Sequence, residues 1–190
     1  MEKEIQRMKT HILIYEGFAH FEVMLASYLM KTAGDIVTVG VEGTPVASYE
    51  GFQLIPHLKL GEIDPREIDV FLVPGGDAAE LEGCGKLHEL LAELDRRKKI
   101  VGGICSGTLQ LAKAGILKNR KYTTTLDTAA HAEFEPQHYI DRNTVTDGNV
   151  ITAKAAGYVD FALELGTLAG IYKDEADYRE TIDFFKYFKS

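Results

Sequence analysis

The chain has 190 residues, 45% of them apolar, and carries 29 acidic against 21 basic side chains for a formal charge of −8. That length and apolar content suit one substantial core, a single domain over residues 1–190, and the acidic balance argues against a nucleic-acid partner, because phosphate binding needs a basic face. The charged start MEKEIQRMKT has no signal-peptide core, and no apolar run reaches the roughly 18 residues of a membrane span, so the expectation is a cytoplasmic protein with no membrane partner.

In chain order, HILIYEG (His11 to Gly17) reads as a buried strand. FEVMLASYLMKTAG follows with Val23, Leu25, Ala26, Leu29 and Met30 at helical spacing, closed by Gly34. Ile36 to Val41 is a second strand, and PVASYEGFQLIPH predicts a hairpin excursion turning at Glu50-Gly51. The apolar run Ile68 to Gly76 is a strand that stops at Pro-Gly-Gly. A helix from about Lys86 to Arg97 ends in RRKK, where cations complement the helix dipole. KIVGGIC is the next strand, and it runs straight into the helix pattern SGTLQLAKAGIL.

Beyond Leu117, KYTTTLD predicts a short strand, TAAHAEF a short helix, and NTVTDGNVITA a hairpin turning at Asp147-Gly148. GYVDFALELGTLAGIY is again helical. In the tail, Tyr178, Ile182, Phe185 and Phe188 fall on one stripe that should dock on the core. Apolar strands alternating with helices predict an α/β fold, a three-layer α/β/α sandwich around a mostly parallel sheet.

Cys84 and Cys105 are the two cysteines, too few for a disulfide framework and consistent with a reducing compartment. Cys84 lies between glycines in a loop with no activating partner in view. Cys105 lies in GGICSG, where Gly103-Ile104-Cys105-Ser106-Gly107 has the spacing of a nucleophile elbow with cysteine in the serine position. Such an elbow ends a strand, strains the nucleophile and starts a helix at once, so a helix N-terminus beside the sulfur should favour thiolate. Set against this is an inert core cysteine, which two flanking glycines and the strand-to-helix transition disfavour.

At this point the sequence resembles the ThiJ/PfpI superfamily, whose flavodoxin-like fold is like the glutaminase domain of class I amidotransferases. The resemblance runs from about Lys9 to about Tyr172, through LIYEGFAHFE, DVFLVPGG, GGICSGTLQLAKAGIL, YTTTLD and TDGNVITAKAAGYVDFAL. It implies Cys105 as nucleophile, Glu22 as the acidic residue from the first helix, and oxyanion binding by the backbone of Gly75, Gly76 and Ser106. A partly buried carboxylic acid beside a thiolate could donate a hydrogen bond to the sulfur and shuttle protons. On its own, Glu22 could equally be a first-turn glutamate complementing the helix dipole.

The chain departs from the superfamily at the histidine many members hold near the cysteine. Ser106 follows Cys105, and Thr125 stands in the other histidine position. His20 and His131 could substitute, and Thr124, Thr125 and Asp127 could form a pocket wall. The resemblance implies a homodimer, and the expectation is a small-molecule substrate with no cofactor and no metal.

Three functions follow. The first is an enzyme in which Cys105 attacks a small aldehyde, amide or isocyanide-like carbon with Glu22 as acid and base. The second is a redox protein whose Cys105 is oxidised to a sulfinate without turnover. The third is a non-catalytic binding or regulatory domain.

Overall fold

The computed structural model describes residues 7–189. Strand β1 (Met8–Ile14) is followed by helix α1 (Phe21–Lys31), β2 (Gly34–Gly40), the short pair β3 (Val46–Ala47) and β4 (Gln53–Leu54), and β5 (Leu58–Lys59). Next come β6 (Val70–Val73), α2 (Gly85–Arg96), β7 (Ile100–Ile104) and α3 (Gly107–Lys113). The chain then runs through β8 (Thr144–Asp147), β9 (Val150–Ala153), α4 (Tyr158–Ala169) and α5 (Glu175–Tyr187).

The main sheet has the order β5-β2-β1-β6-β7-β9-β8, parallel except where β8 pairs antiparallel with β9. All four residues of β6 are buried, as expected where both faces are covered by helices. On one face Val23, Ala26 and Met30 of α1 and Phe161 and Leu165 of α4 pack on Ile12, Leu72 and Ile104. On the other, Leu87 and Leu91 of α2 and Leu111 of α3 pack on Leu13, Phe71 and Val101. The three-layer, flavodoxin-like architecture read from the sequence is the one observed. No helix among the described residues is long and apolar enough to cross a membrane.

Some local expectations fail for identifiable reasons. KYTTTLD is not a strand, because it forms a single bridge, Tyr122 to Tyr139. Its threonines instead tie it down through hydroxyls: Thr123 N–H donates to Thr152 Oγ1 (2.9 Å) and Thr123 Oγ1 to the Arg142 carbonyl (2.8 Å). TAAHAEF is not a helix either; Asp127 Oδ1 accepts the Ala129 N–H at 2.9 Å, a turn that competes with helix initiation. Gly34 does not close α1 but opens β2. In the tail, Ile182 and Phe185 pack against the core, whereas Phe188 lies past the end of α5 in a left-handed conformation and is 89% exposed.

The topology places the C-terminal ends of β1, β6 and β7 side by side. In open parallel sheets that edge carries the ligand site.

Candidate active site

Cys105 directly follows β7 and has φ +56°, a left-handed conformation that costs a non-glycine residue about 1–3 kcal/mol. Hydrogen bonds from three sides hold the strain. The Cys105 N–H donates to the Ala153 carbonyl (2.9 Å), and the Cys105 carbonyl accepts from Thr108 Oγ1 (2.7 Å), whose oxygen in turn accepts from the Thr124 hydroxyl. Thr108 and Thr124 are themselves paired at 2.7 Å. Gly107 is required by closeness, since a Cβ there would lie 2.2 Å from the Val73 carbonyl oxygen.

Glu22 sits in the first turn of α1 and is 2% exposed. Its Oε2 accepts the Gly75 N–H at 2.7 Å. A Cβ on Gly75 would lie 2.7 Å from Cys105 Cβ, 2.9 Å from Cys105 Sγ and 3.0 Å from Glu22 Oε2. One glycine therefore separates the sulfur and the carboxyl group by no more than the space its missing side chain leaves. Sulfur and carboxyl oxygen therefore converge on the same point, where Gly75 has no side chain.

The two groups disturb each other's ionisation. Burial pushes the Glu22 carboxyl above its usual range, against the pull of the Gly75 N–H. The Cys105 thiol is pushed up to about 11, first by burial, then by the Glu22 charge and the hydrogen bond between them, against smaller opposite effects of the Ser106 N–H and the Thr125 hydroxyl. The sequence alone suggested that the helix start would favour thiolate; burial and the carboxylate outweigh it. The pair titrates as a unit that tolerates one negative charge and resists two. Moving its proton from sulfur to carboxylate makes a nucleophile without changing the net charge.

The glycine pair divides its work. Gly75 N–H is taken by Glu22, so it is not a free oxyanion donor as read from the sequence. Gly76 has φ +119°, and its carbonyl accepts from Ser106 Oγ at 3.2 Å. The Ser106 N–H, next along the chain, pulls the Cys105 pKa down.

Of the remaining candidates, Thr125 Oγ1 accepts the Ala155 N–H at 2.9 Å, and Thr124 supports the elbow through its pairing with Thr108. His20 packs its ring against Phe18 and Phe52, each at 5.6 Å between centroids, and among the described residues its buried Nδ1 has no hydrogen-bond partner. His131 stacks edge-on against Phe134 at 6.1 Å. Asp127 is an exposed turn residue. None of these three is hydrogen-bonded to Cys105 among the described residues. No group of three metal-ligating side chains converges there either.

Two positioning residues escaped the sequence reading. Tyr15, fully buried, directs its hydroxyl at the Pro74 (3.0 Å) and Gly75 (2.8 Å) carbonyls and so fixes the glycine turn. Glu50, from the hairpin between β3 and β4, accepts the His20 (3.1 Å) and Phe21 (3.0 Å) N–H groups and caps the helix that carries Glu22. The His20 side chain supplies no cap.

The sequence profile of the DJ-1/PfpI family matches residues 8–167. The deglycase TK1284 of Thermococcus kodakarensis is 28% identical over 155 residues, 79% of this chain and 92% of that protein. The glutathione-independent glyoxalase DJR-1.2 of Caenorhabditis elegans is 26% identical over 165 residues, 84% and 87% of the two chains. Among solved structures, the DJ-1 superfamily protein Atu0886 of Agrobacterium tumefaciens superposes with a TM-score of 0.85 at 27% identity, covering 96% of this chain and all of the other.

Proposed function

Because the chain belongs to the DJ-1/PfpI family, we propose that it is a cysteine-dependent enzyme acting on a small electrophilic carbonyl compound, with Cys105 as nucleophile and Glu22 as its acid and base. The relatives named as a deglycase and a glyoxalase support the aldehyde class over the amide and isocyanide classes. The observation that carries the reading is the crowding of Cys105 Sγ and Glu22 Oε2 around Gly75, at 2.9 and 3.0 Å from the position its Cβ would take.

The chemistry balances within that pair. The thiol proton passes to Glu22, and the thiolate attacks the carbonyl carbon to form a C–S bond. The C=O π electrons move onto oxygen, where the N–H groups of Gly76 and Ser106 hold the developing charge. Glu22 then returns its proton to that oxygen, leaving a hemithioacetal on Cys105.

Turnover of small aldehydes by the wild type, Cys105→Ser and Glu22→Gln tests the reading. Cys105→Ser should abolish turnover. Glu22→Gln should lower it about 10²-fold or more, the usual scale for a general acid–base group, while iodoacetamide still labels Cys105. No wild-type turnover on aldehydes, amides or isocyanides, with peroxide instead giving a sulfinate that depends on Glu22, overturns the enzyme in favour of a redox role.

We further propose a cytoplasmic homodimer. Phe21, Met24 and Tyr28 of α1, exposed by 43%, 51% and 65%, offer an apolar face suited to a second copy.

A further inference from the structure

We propose that Tyr15 is a positioning residue for the reacting pair: through the Pro74–Gly75 peptide its hydroxyl aims the Gly75 N–H at Glu22, and so keeps the pair's negative charge on the carboxylate rather than on the Cys105 sulfur. This rests on Cys105 and Glu22 forming the reactive pair. Tyr15 directly follows β1 and is fully buried. Its hydroxyl lies 3.0 Å from the Pro74 carbonyl oxygen and 2.8 Å from that of Gly75.

The two carbonyls depend on Tyr15 to different degrees. The Gly75 oxygen has a second donor, the Ala19 N–H at 2.8 Å. The Pro74 oxygen has no other donor among the described residues, and a Cβ on Gly107 would lie 2.6 Å from it, so the start of α3 covers it. Without the Tyr15 hydroxyl a buried acceptor is stranded.

A peptide unit is planar, so its C=O and N–H point in opposite directions and turn together. The unit whose carbonyl Tyr15 holds is the one whose N–H donates to Glu22 Oε2 at 2.7 Å. Fixing one end aims the other, and a donor on the carbonyl polarises the amide and strengthens its N–H. Sulfur and carboxyl oxygen converge where Gly75 has no side chain, so a carboxylate stabilised there makes the sulfur the less favoured place for charge.

The ionisable groups facing Tyr15 and Glu22 are acidic: Cys105 at the elbow, Asp77 and Glu80 beyond the glycine turn, and Glu50 of the hairpin. His20, at the start of the same helix, turns its ring onto Phe18 and Phe52. A buried phenol among negative charges is pushed further up and stays protonated, so Tyr15 positions the pair and carries none of its protons.

The test follows iodoacetamide labelling of Cys105 against pH in a Cys84→Ser background. Tyr15→Phe keeps the buried ring and removes the hydroxyl, which weakens the hold on the carboxylate and shifts charge to the sulfur. The labelling midpoint should fall by about one pH unit, so that labelling below both midpoints quickens about tenfold. In a Glu22→Gln background there is no carboxylate to hold, and the same change should alter labelling by less than about twofold. A midpoint that stays or rises in Tyr15→Phe overturns the proposal, as does an equal shift in both backgrounds, which a loosened turn alone would give. If Tyr15→Phe does not fold, 3-fluorotyrosine placed at position 15, a stronger donor of nearly the same size, decides the matter: the midpoint should rise, and an unmoved or lower one overturns the proposal.

Aldehyde turnover, measured in parallel, separates this proposal from the enzyme reading. A lowered midpoint in Tyr15→Phe with no turnover in the parent keeps the positioning role and removes the enzyme. Turnover in the parent with an unmoved midpoint does the reverse.

Discussion

Replacing Gly75 by alanine puts one methyl group at the most crowded point of the site. The new Cβ would stand 2.7 Å from Cys105 Cβ, 2.9 Å from Sγ and 3.0 Å from Glu22 Oε2, all well inside van der Waals contact. The sulfur and the carboxyl group can swing away, but Cys105 Cβ is fixed to the elbow backbone. Either the elbow or the Pro74–Gly75 turn must therefore retreat. Tyr15 and Ala19 hold the Gly75 carbonyl at 2.8 Å each and resist that retreat. Overpacking of this kind costs about 1–3 kcal/mol. At roughly 2–4 °C per kcal/mol for a chain of this size, the melting temperature should fall by about 2–12 °C. Function should suffer more than stability, because a shift near 1 Å between reacting groups costs about 10²-fold in rate. Calorimetry, Cys105 labelling and aldehyde turnover read the three effects. Gly85→Ala is the control: nothing lies within 4 Å of its added Cβ, so melting should hold or rise slightly. Wild-type melting, labelling and turnover in Gly75→Ala would mean that sulfur and carboxyl do not converge on this glycine, and the site as described would be wrong.

Two further outcomes test the fold around the site. Deleting residues after Asp174 removes α5, uncovering the half-buried Ile182 and Phe185 contacts and the Lys186–Asp160 ion pair (2.6 Å); stability should drop by about 2–4 kcal/mol with increased dye binding to apolar surface, and an unchanged melt would show the helix dispensable. His11 is 3% exposed, its Nδ1 has no partner among the described residues, and burial lowers its pKa below 6.5. The unfolded chain therefore takes up a proton at a pH where the folded chain does not, so stability present above about pH 6.5 is lost as pH falls through that value toward the lower folded pKa. Wild type should lose more stability than His11→Gln between about pH 7 and pH 5, and parallel curves would contradict it.

The parts of this protein that local pattern determines are those where a few neighbouring residues suffice. Apolar runs of period-free β character, the Pro-Gly-Gly stop and the small-x-Cys-x-small elbow each fix a strand, its end or its strain without reference to distant chain. Those features were enough to predict a mostly parallel sheet, to put Cys105 at its ligand-binding edge and, with the superfamily resemblance, to pair it with Glu22; the order of the strands came from the structure. The threonine-rich segment misled the pattern because Thr123, Thr124 and Thr125 satisfy their surroundings through hydroxyls rather than a ladder, and a sequence does not say where a hydroxyl points. Tertiary structure alone decided that the Gly75 N–H goes to Glu22, that Glu50 caps α1 from 29 and 30 residues further along the chain, and that burial and the carboxylate push the Cys105 thiol up to about 11 rather than down. The reason is physical. Ionisation and hydrogen-bond direction depend on what stands opposite a group once water is excluded, and at this site every opposing partner comes from another element of the fold.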